Sequence, residues 1–184
     1  MALLCIILYQ YIYKKLIMKF QSDLFNFITP VVVDKGRFFI DEMFQRKFRS
    51  NGPDNTNHLI AFYNNNGHFI PVSYLSFLPY KNVLLVGGGM TDGKAIRLMS
   101  EEERNIISEN NGVLYFMLKY GFEHFSNQCD AYFGHVNDPR ALEVDLAAGF
   151  EKTIHQYLVV NYHKPTSQWK KKRLAKMISK IGAF

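Results

Sequence analysis

The stretch VLLVGGGMTDGKA, residues 83–95, runs an apolar strand-like segment into four glycines and a lysine. That is raw material for a phosphate-binding loop, because glycine lets backbone N–H groups converge on an anion and lysine neutralises its charge. Gly88 to Ala95 spell G-x-x-x-x-G-K-A. A P-loop needs a Ser or Thr hydroxyl after the lysine to hold magnesium, and Ala95 has none. Gly87, Gly89 and Gly93 come close to a dinucleotide-binding turn, but such a turn opens a helix and precedes a second parallel strand whose end supplies an acid. Here Thr91, Asp92 and Gly93 break the chain again, and the acids further on, Glu109 among them, fall in a helical pattern. Two readings survive: a bulge or tight turn at a strand end, and a strand end opened so that a ligand approaches its backbone.

Acid–base candidates lie further along. His135 closes one strand-like segment and Asp138 opens the next helix, so an imidazole and a carboxylate stand where the protons of a transfer reaction could be moved. Asp138 reads equally as a helix cap. Asp92 reads as an Asp-Gly turn and Tyr74 as core. His124, Cys129, His155 and His163 share no recognised ligand spacing, and no metal is expected.

The elements that must position these groups follow from periodicity. In residues 38–48, FFIDEMFQRKF, one line holds Phe39, Met43 and Lys47 and another Ile40, Phe44 and Phe48, as in an amphipathic helix ending at Ser50-Asn51-Gly52-Pro53. Residues 58–63 and 68–77 are rich in β-branched and aromatic side chains and flank Asn64-Asn65-Asn66-Gly67, which predicts a hairpin. A turn at 79–82 leads to a third antiparallel strand from 83. Ser100, with Glu103 three residues later, starts a short helix to about Glu109. Asn110-Asn111-Gly112 interrupts it, and 113–127 is a largely apolar helix. Residues 130–136 read as a strand, Pro139 opens a helix that Gly149 ends, and 153–162 read as a strand again. The strand–helix–strand order puts the C-terminal half in the α/β or α+β class, with an α+β domain on a mixed sheet as the expectation.

That order of elements, with AYFGHVNDPRALEVDLAAGF (131–150) followed by EKTIHQYLVVNY, resembles the GNAT superfamily of N-acyltransferases over roughly residues 35–163. The resemblance implies that acetyl-CoA or another acyl-CoA binds where the fourth and fifth strands splay apart. It places the pantetheine arm along Gly87, Gly88 and Gly89 and the pyrophosphate at Asn110, Asn111 and Gly112, with Asn137 in the turn beside them. It also implies transfer of the acyl group to an amine by direct attack on the thioester, with His135 and Asp138 as the catalytic candidates. Two departures stand out: the family's Q/R-x-x-G-x-G/A loop is reduced to one glycine without arginine at 109–113, and its tyrosine four residues before Gly-Phe is Asp145 here. A second reading follows from them, a GNAT-like binding module without catalysis. A third is a transferase of acyl chains or lipid-linked substrates.

The 184 residues suit one core, expected over 18–163, followed by a basic tail at 164–184. Lys164, Lys170, Lys171, Lys172, Arg173, Lys176 and Lys180 account for the net charge of +6, since the remaining 15 basic residues face 16 acidic ones. Leu174, Met177, Ile178 and Ile181 recur at helical spacing behind those cations, so the tail is an amphipathic helix that either packs on the domain or offers Lys170, Lys171, Lys172 and Arg173 to an anionic partner or membrane surface. The two cysteines give no disulfide framework. Residues 1–17 are apolar, too short to span a bilayer, and read as an extension or a mis-assigned start before Met18. A cytoplasmic protein is expected, with peripheral membrane contact as the alternative.

Overall fold

The computed structural model describes residues 23–54 and 57–184. The expectation for residues 1–17 lies outside the described residues. A seven-stranded sheet runs through the centre in the order β1-β2-β3-β4-β5-β7-β6. Its strands are β1 (Ile28–Val33), β2 (His58–Asn65), β3 (His68–Tyr80), β4 (Val83–Thr91), β5 (Ala131–His135), β6 (Glu151–Lys152) and β7 (Leu158–Asn161). The helices are α1 (Arg37–Phe48), α2 (Gly93–Ile96), α3 (Glu101–Glu109), α4 (Gly112–His124), α5 (Pro139–Ala148) and α6 (Gln168–Ile178). Pairing is antiparallel throughout except between β4 and β5, which run parallel.

The sheet buries both faces because its strands are apolar on both. Leu59, Leu75, Phe77, Leu84 and Tyr132 meet Phe116, Met117 and Phe122 of α4 on one face. On the other face α1 covers Ile60, Tyr74 and Met90, and α6 covers Val83, Leu85, Phe133 and Val160 with Leu174, Ala175 and Ile178. The approach of α4 is set by Gly121, where an added β-carbon would lie 2.6 Å from Phe77 Cε2 and closer still to Cζ. The basic segment is therefore part of the second layer. Three of its cations are engaged locally: Lys170 Nζ lies 2.8 Å from Asp130 Oδ2, Lys171 stands over the Tyr162 ring and Arg173 over Trp169.

Three local expectations are met atom by atom. The β2–β3 turn is two residues, Asn66 and Gly67, both at positive φ, which suits the twist of a tight hairpin. Ser100 and Glu103 form the reciprocal capping box of α3. Asp138 caps α5, its carboxylate accepting from the N–H groups of Arg140 and Ala141, and Gly149 ends that helix in the left-handed region.

Elsewhere the structure differs from the sequence reading. Four antiparallel strands precede the long helix, not three: β1 is added at the sheet edge, where Pro30 is tolerated because one side of the strand has no neighbour. The predicted final strand is broken. Residues 153–157 form a turn held by the Thr153 hydroxyl, which donates to the His155 carbonyl and accepts from its N–H, so the chain makes a β6–β7 hairpin and only 158–161 of the predicted strand are paired as β7. The twenty residues between β4 and α4 hold α2 and α3, with Asp92 capping α2.

Candidate functional site

The β4–β5 pairing lasts four residues, from Val83 opposite Ala131 to Val86 opposite Gly134. Beyond it the strands part, and the cause is on β4. Its register with β3 slips by one between Tyr74–Met90 and Ser76–Gly87, which sets Gly88 and Gly89 against the single residue Leu75. This is a β-bulge, with Gly88 at φ +63°, and a bulge bends its strand and increases its twist. The bulge expected of the glycine stretch is present, and it lies where β4 parts from β5.

The notch between the parted strands is a cavity of about 280 Å³ whose lining includes Gly87, Gly88, Gly89, His135, Asn137 and Asp145. On one side it continues into a cavity of about 530 Å³ between β4, α4 and α5, reached by Asn111, Gly112, Lys47 and Arg140. On the other it meets a third cavity, about 370 Å³, between α1 and the residues after α6. Phe48, at the end of α1, borders all three.

Of the predicted residues, Gly87, Gly88, Gly89, Asn137, His135 and Asp138 line the notch, and Asn111 and Gly112 line the adjoining cavity. Asn110 does not join them: its side-chain amide turns back to donate to the Ile106 carbonyl at the end of α3. Asn111 (φ 61°) and Gly112 (φ +90°) turn the chain in the left-handed region at the start of α4. His135 is half-buried, 5.9 Å between ring centres from Tyr157 and 6.2 Å from Phe184. Asp138 is exposed, and its carboxyl is held below the usual range, first by the N–H groups of Ala141 and Arg140 and also by the charges of Arg140 and Lys47.

Asp145 is the group that sequence reasoning noted only as a departure. It lies on α5, is 8% exposed and faces the notch. Burial alone pushes its carboxyl up to about 7, with no offsetting cation or hydrogen-bond donor among the described residues. A carboxyl in that condition holds a proton near neutrality and can give it up. Lys47 and Arg140 escaped notice as well, because their meeting beside α4 depends on the packing of α1 and α5 on β4. Both line the same cavity as Asn111 and Gly112. No metal-ligating cluster occurs among the described residues, and no described helix is long and apolar enough to cross a membrane.

No protein-family model matches the chain, and no curated protein matches it. Among solved structures it is similar to one described as "putative N-acetyltransferase from Lactobacillus plantarum". The two share 14% identity over 73% of this chain and 97% of that one, with a TM-score of 0.45.

Proposed function

We propose that the protein is an acyl-CoA-dependent N-acyltransferase. The observation that carries this reading is the notch itself: a strand end with three consecutive glycines, parted from its parallel neighbour, leading to a helix start flanked by Lys47 and Arg140. The residues present fit the cofactor. Past Val86, β4 has no strand partner on its β5 side among the described residues, so an extended arm could pair with it there as a further strand would. Glycine at 87–89 removes the side chains that would fill the notch. At the far end, N–H groups opening α4 and two cations suit a pyrophosphate.

Bound there, acyl-CoA supplies an activated carbonyl to which an amine adds as the carbon–sulfur bond gives way. His135 Nδ1 or Nε2 takes the proton that the amine nitrogen must lose. The Asp145 carboxyl holds the proton that the departing thiolate needs. Asp138, already engaged by two backbone N–H groups, serves this reading as the cap that fixes α5 and hence Asp145.

The reading is tested by titrating the protein with acetyl-CoA and longer acyl-CoA thioesters while following the melting temperature. A ligand at a hundred times its dissociation constant adds about 2.7 kcal/mol. Gly88→Val and Gly112→Val should each abolish the shift, and joint Lys47→Ala and Arg140→Ala should weaken it at least tenfold. Absence of a shift for every chain length overturns the reading.

A further inference from the structure

Past the end of β4 lies a further cavity, about 270 Å³, between the C-terminal half of α1 and the turn into α2. Its charge is almost all of one sign: Arg46 and Lys47 come from α1, Lys94 from α2, and Arg97 from the end of that helix. Asp92 is the acidic side chain among the described residues that line it, and both its oxygens are taken. Oδ1 accepts from the Lys94 N–H at 3.0 Å, and Oδ2 lies 2.5 Å from Arg46 Nη2. Glu42 pairs with the same guanidinium, so two carboxylates serve Arg46 and none is left for the rest. Lys47, Lys94 and Arg97 enter no ion pair among the described residues. The carboxylate that Lys47 does act on, Asp138, lines the neighbouring cavity and not this one. Arg97 folds back toward the lining, since a β-carbon on Gly93 would lie 3.7 Å from its Nη1.

We propose that this cavity binds a phosphate monoester as its dianion. The proposal stands apart from the acyltransferase reading, in which Lys94 and Arg97 have no part. Cations gathered from two helices repel one another, and an anion among them turns that repulsion into attraction. A dianion engages several of them at once: the planar fork of Arg97 matches a pair of phosphate oxygens, and the ammonium groups of Lys47 and Lys94 act as point charges beside it. Size decides against a nucleic-acid strand, which needs a basic groove tracking its backbone, whereas these cations surround one small cavity. The cavity shares Lys47, Met90 and Thr91 with the larger one at the start of α4. The monoester can therefore arrive on a molecule of its own or as an outlying phosphate of the ligand in that larger cavity. The same cations meet it in either case.

The experiment uses the full chain, with phenyl phosphate as the free monoester and its binding read by phosphorus NMR line broadening. Phenyl sulfate, a monoanion of the same shape, and citrate, a polycarboxylate, compete against it. Phenyl phosphate should bind about tenfold tighter than either. Its affinity should fall with added salt, and fall again below about pH 6, where the monoester takes up its second proton. Joint Lys94→Gln and Arg97→Gln should weaken it about tenfold with the melting temperature unchanged, and Lys94→Arg should retain it. The source is read from the melting shifts given by CoA and by dephospho-CoA, which lacks the ribose 3′-phosphate. A phosphate carried on CoA makes CoA the tighter ligand by about tenfold, and the double variant erases the difference. A phosphate on a separate molecule leaves the two forms alike, and phenyl phosphate still binds with CoA present. The proposal is overturned if phenyl phosphate gives no broadening and the two forms of CoA bind alike, if sulfate or citrate binds as well, or if the double variant changes nothing. If phenyl phosphate binds through Lys94 and Arg97 while no form of CoA binds, the phosphate site stands and the acyltransferase reading falls.

Discussion

The main-chain oxygen of Phe184 rests against Gly87, so close that a β-carbon at residue 87 would lie 2.7 Å from it. The last residues after α6 therefore depend on a missing side chain in β4. Gly87→Ala should push them away while the sheet hydrogen bonds stay, at a cost of about 1 kcal/mol. Limited proteolysis should then cut beyond residue 178 faster than in the wild type. Gly88→Ala should cost more, roughly 2 kcal/mol in urea denaturation, because residue 88 is held at φ +63° and its β-carbon would lie 3.0 Å from Tyr74 Cε1.

Asp145 makes stability depend on pH in a direction opposite to that of a salt-bridged carboxylate. Its carboxyl titrates at about 7 in the folded protein against 3.8 when unperturbed. Between those values the folded chain keeps a proton that the unfolded chain has lost. Its contribution is thus full below pH 4, falls as pH rises to 7 and stays lost above. Asp145→Asn removes this dependence, so the stability difference between variant and wild type should swing in favour of the variant by on the order of 4 kcal/mol from pH 4 to pH 8. Urea melts at the two pH values check it. In thiol-release assays the same variant should lose at least tenfold in kcat if Asp145 is the proton donor.

The contact of Gly121 with Phe77 predicts a paired result. Gly121→Ala should destabilise by about 3 kcal/mol, since the added methyl meets a buried ring on a helix packed against the sheet. Phe77→Leu should itself cost about 1 kcal/mol and remove most of the penalty of the alanine, giving a coupling of about 2 kcal/mol in a double-mutant cycle.

Asp92 joins two roles at the end of β4. Its Oδ1 accepts from the Lys94 N–H as the cap of α2, and its Oδ2 lies 2.5 Å from Arg46 Nη2 of α1. Asp92→Asn keeps the cap and loses the ion pair, for about 0.5 kcal/mol in chemical denaturation. Asp92→Ala loses both and should cost about 1.5 kcal/mol.

What the sequence made legible was local. Ser100 with Glu103, Asp138 with Pro139 and Gly149, and Asn66-Gly67 each fix a backbone conformation within a few residues, and each is where its chemistry puts it. β1 was missed because Pro30 and a short valine run carry little signal without the β2 edge beside them. Residues 153–162 read as one strand because β-branched and aromatic residues run through them, while the side-chain turn at Thr153 and His155 reverses the chain between β6 and β7. At the candidate site the glycines were visible as a cluster, and their effect, a one-residue slip against Leu75, needed the partner strand. Asp145 looked like the absence of a tyrosine. Its burial against the notch is a property of α5 packing that no residue spacing expresses.

The four-residue seam between β4 and β5 divides the molecule more deeply than its single sheet suggests. Residues 28–91 hold four consecutive antiparallel strands and α1, and β5, β6, β7, α5 and α6 follow from 131 onward. Leu84 and Leu85 are buried on opposite faces, Leu84 on the face that α4 covers and Leu85 on the face that α6 covers. A chain severed in the turn at 97–100 would yield two pieces, each with an unmatched edge at Val86 or Gly134 and an uncovered apolar face.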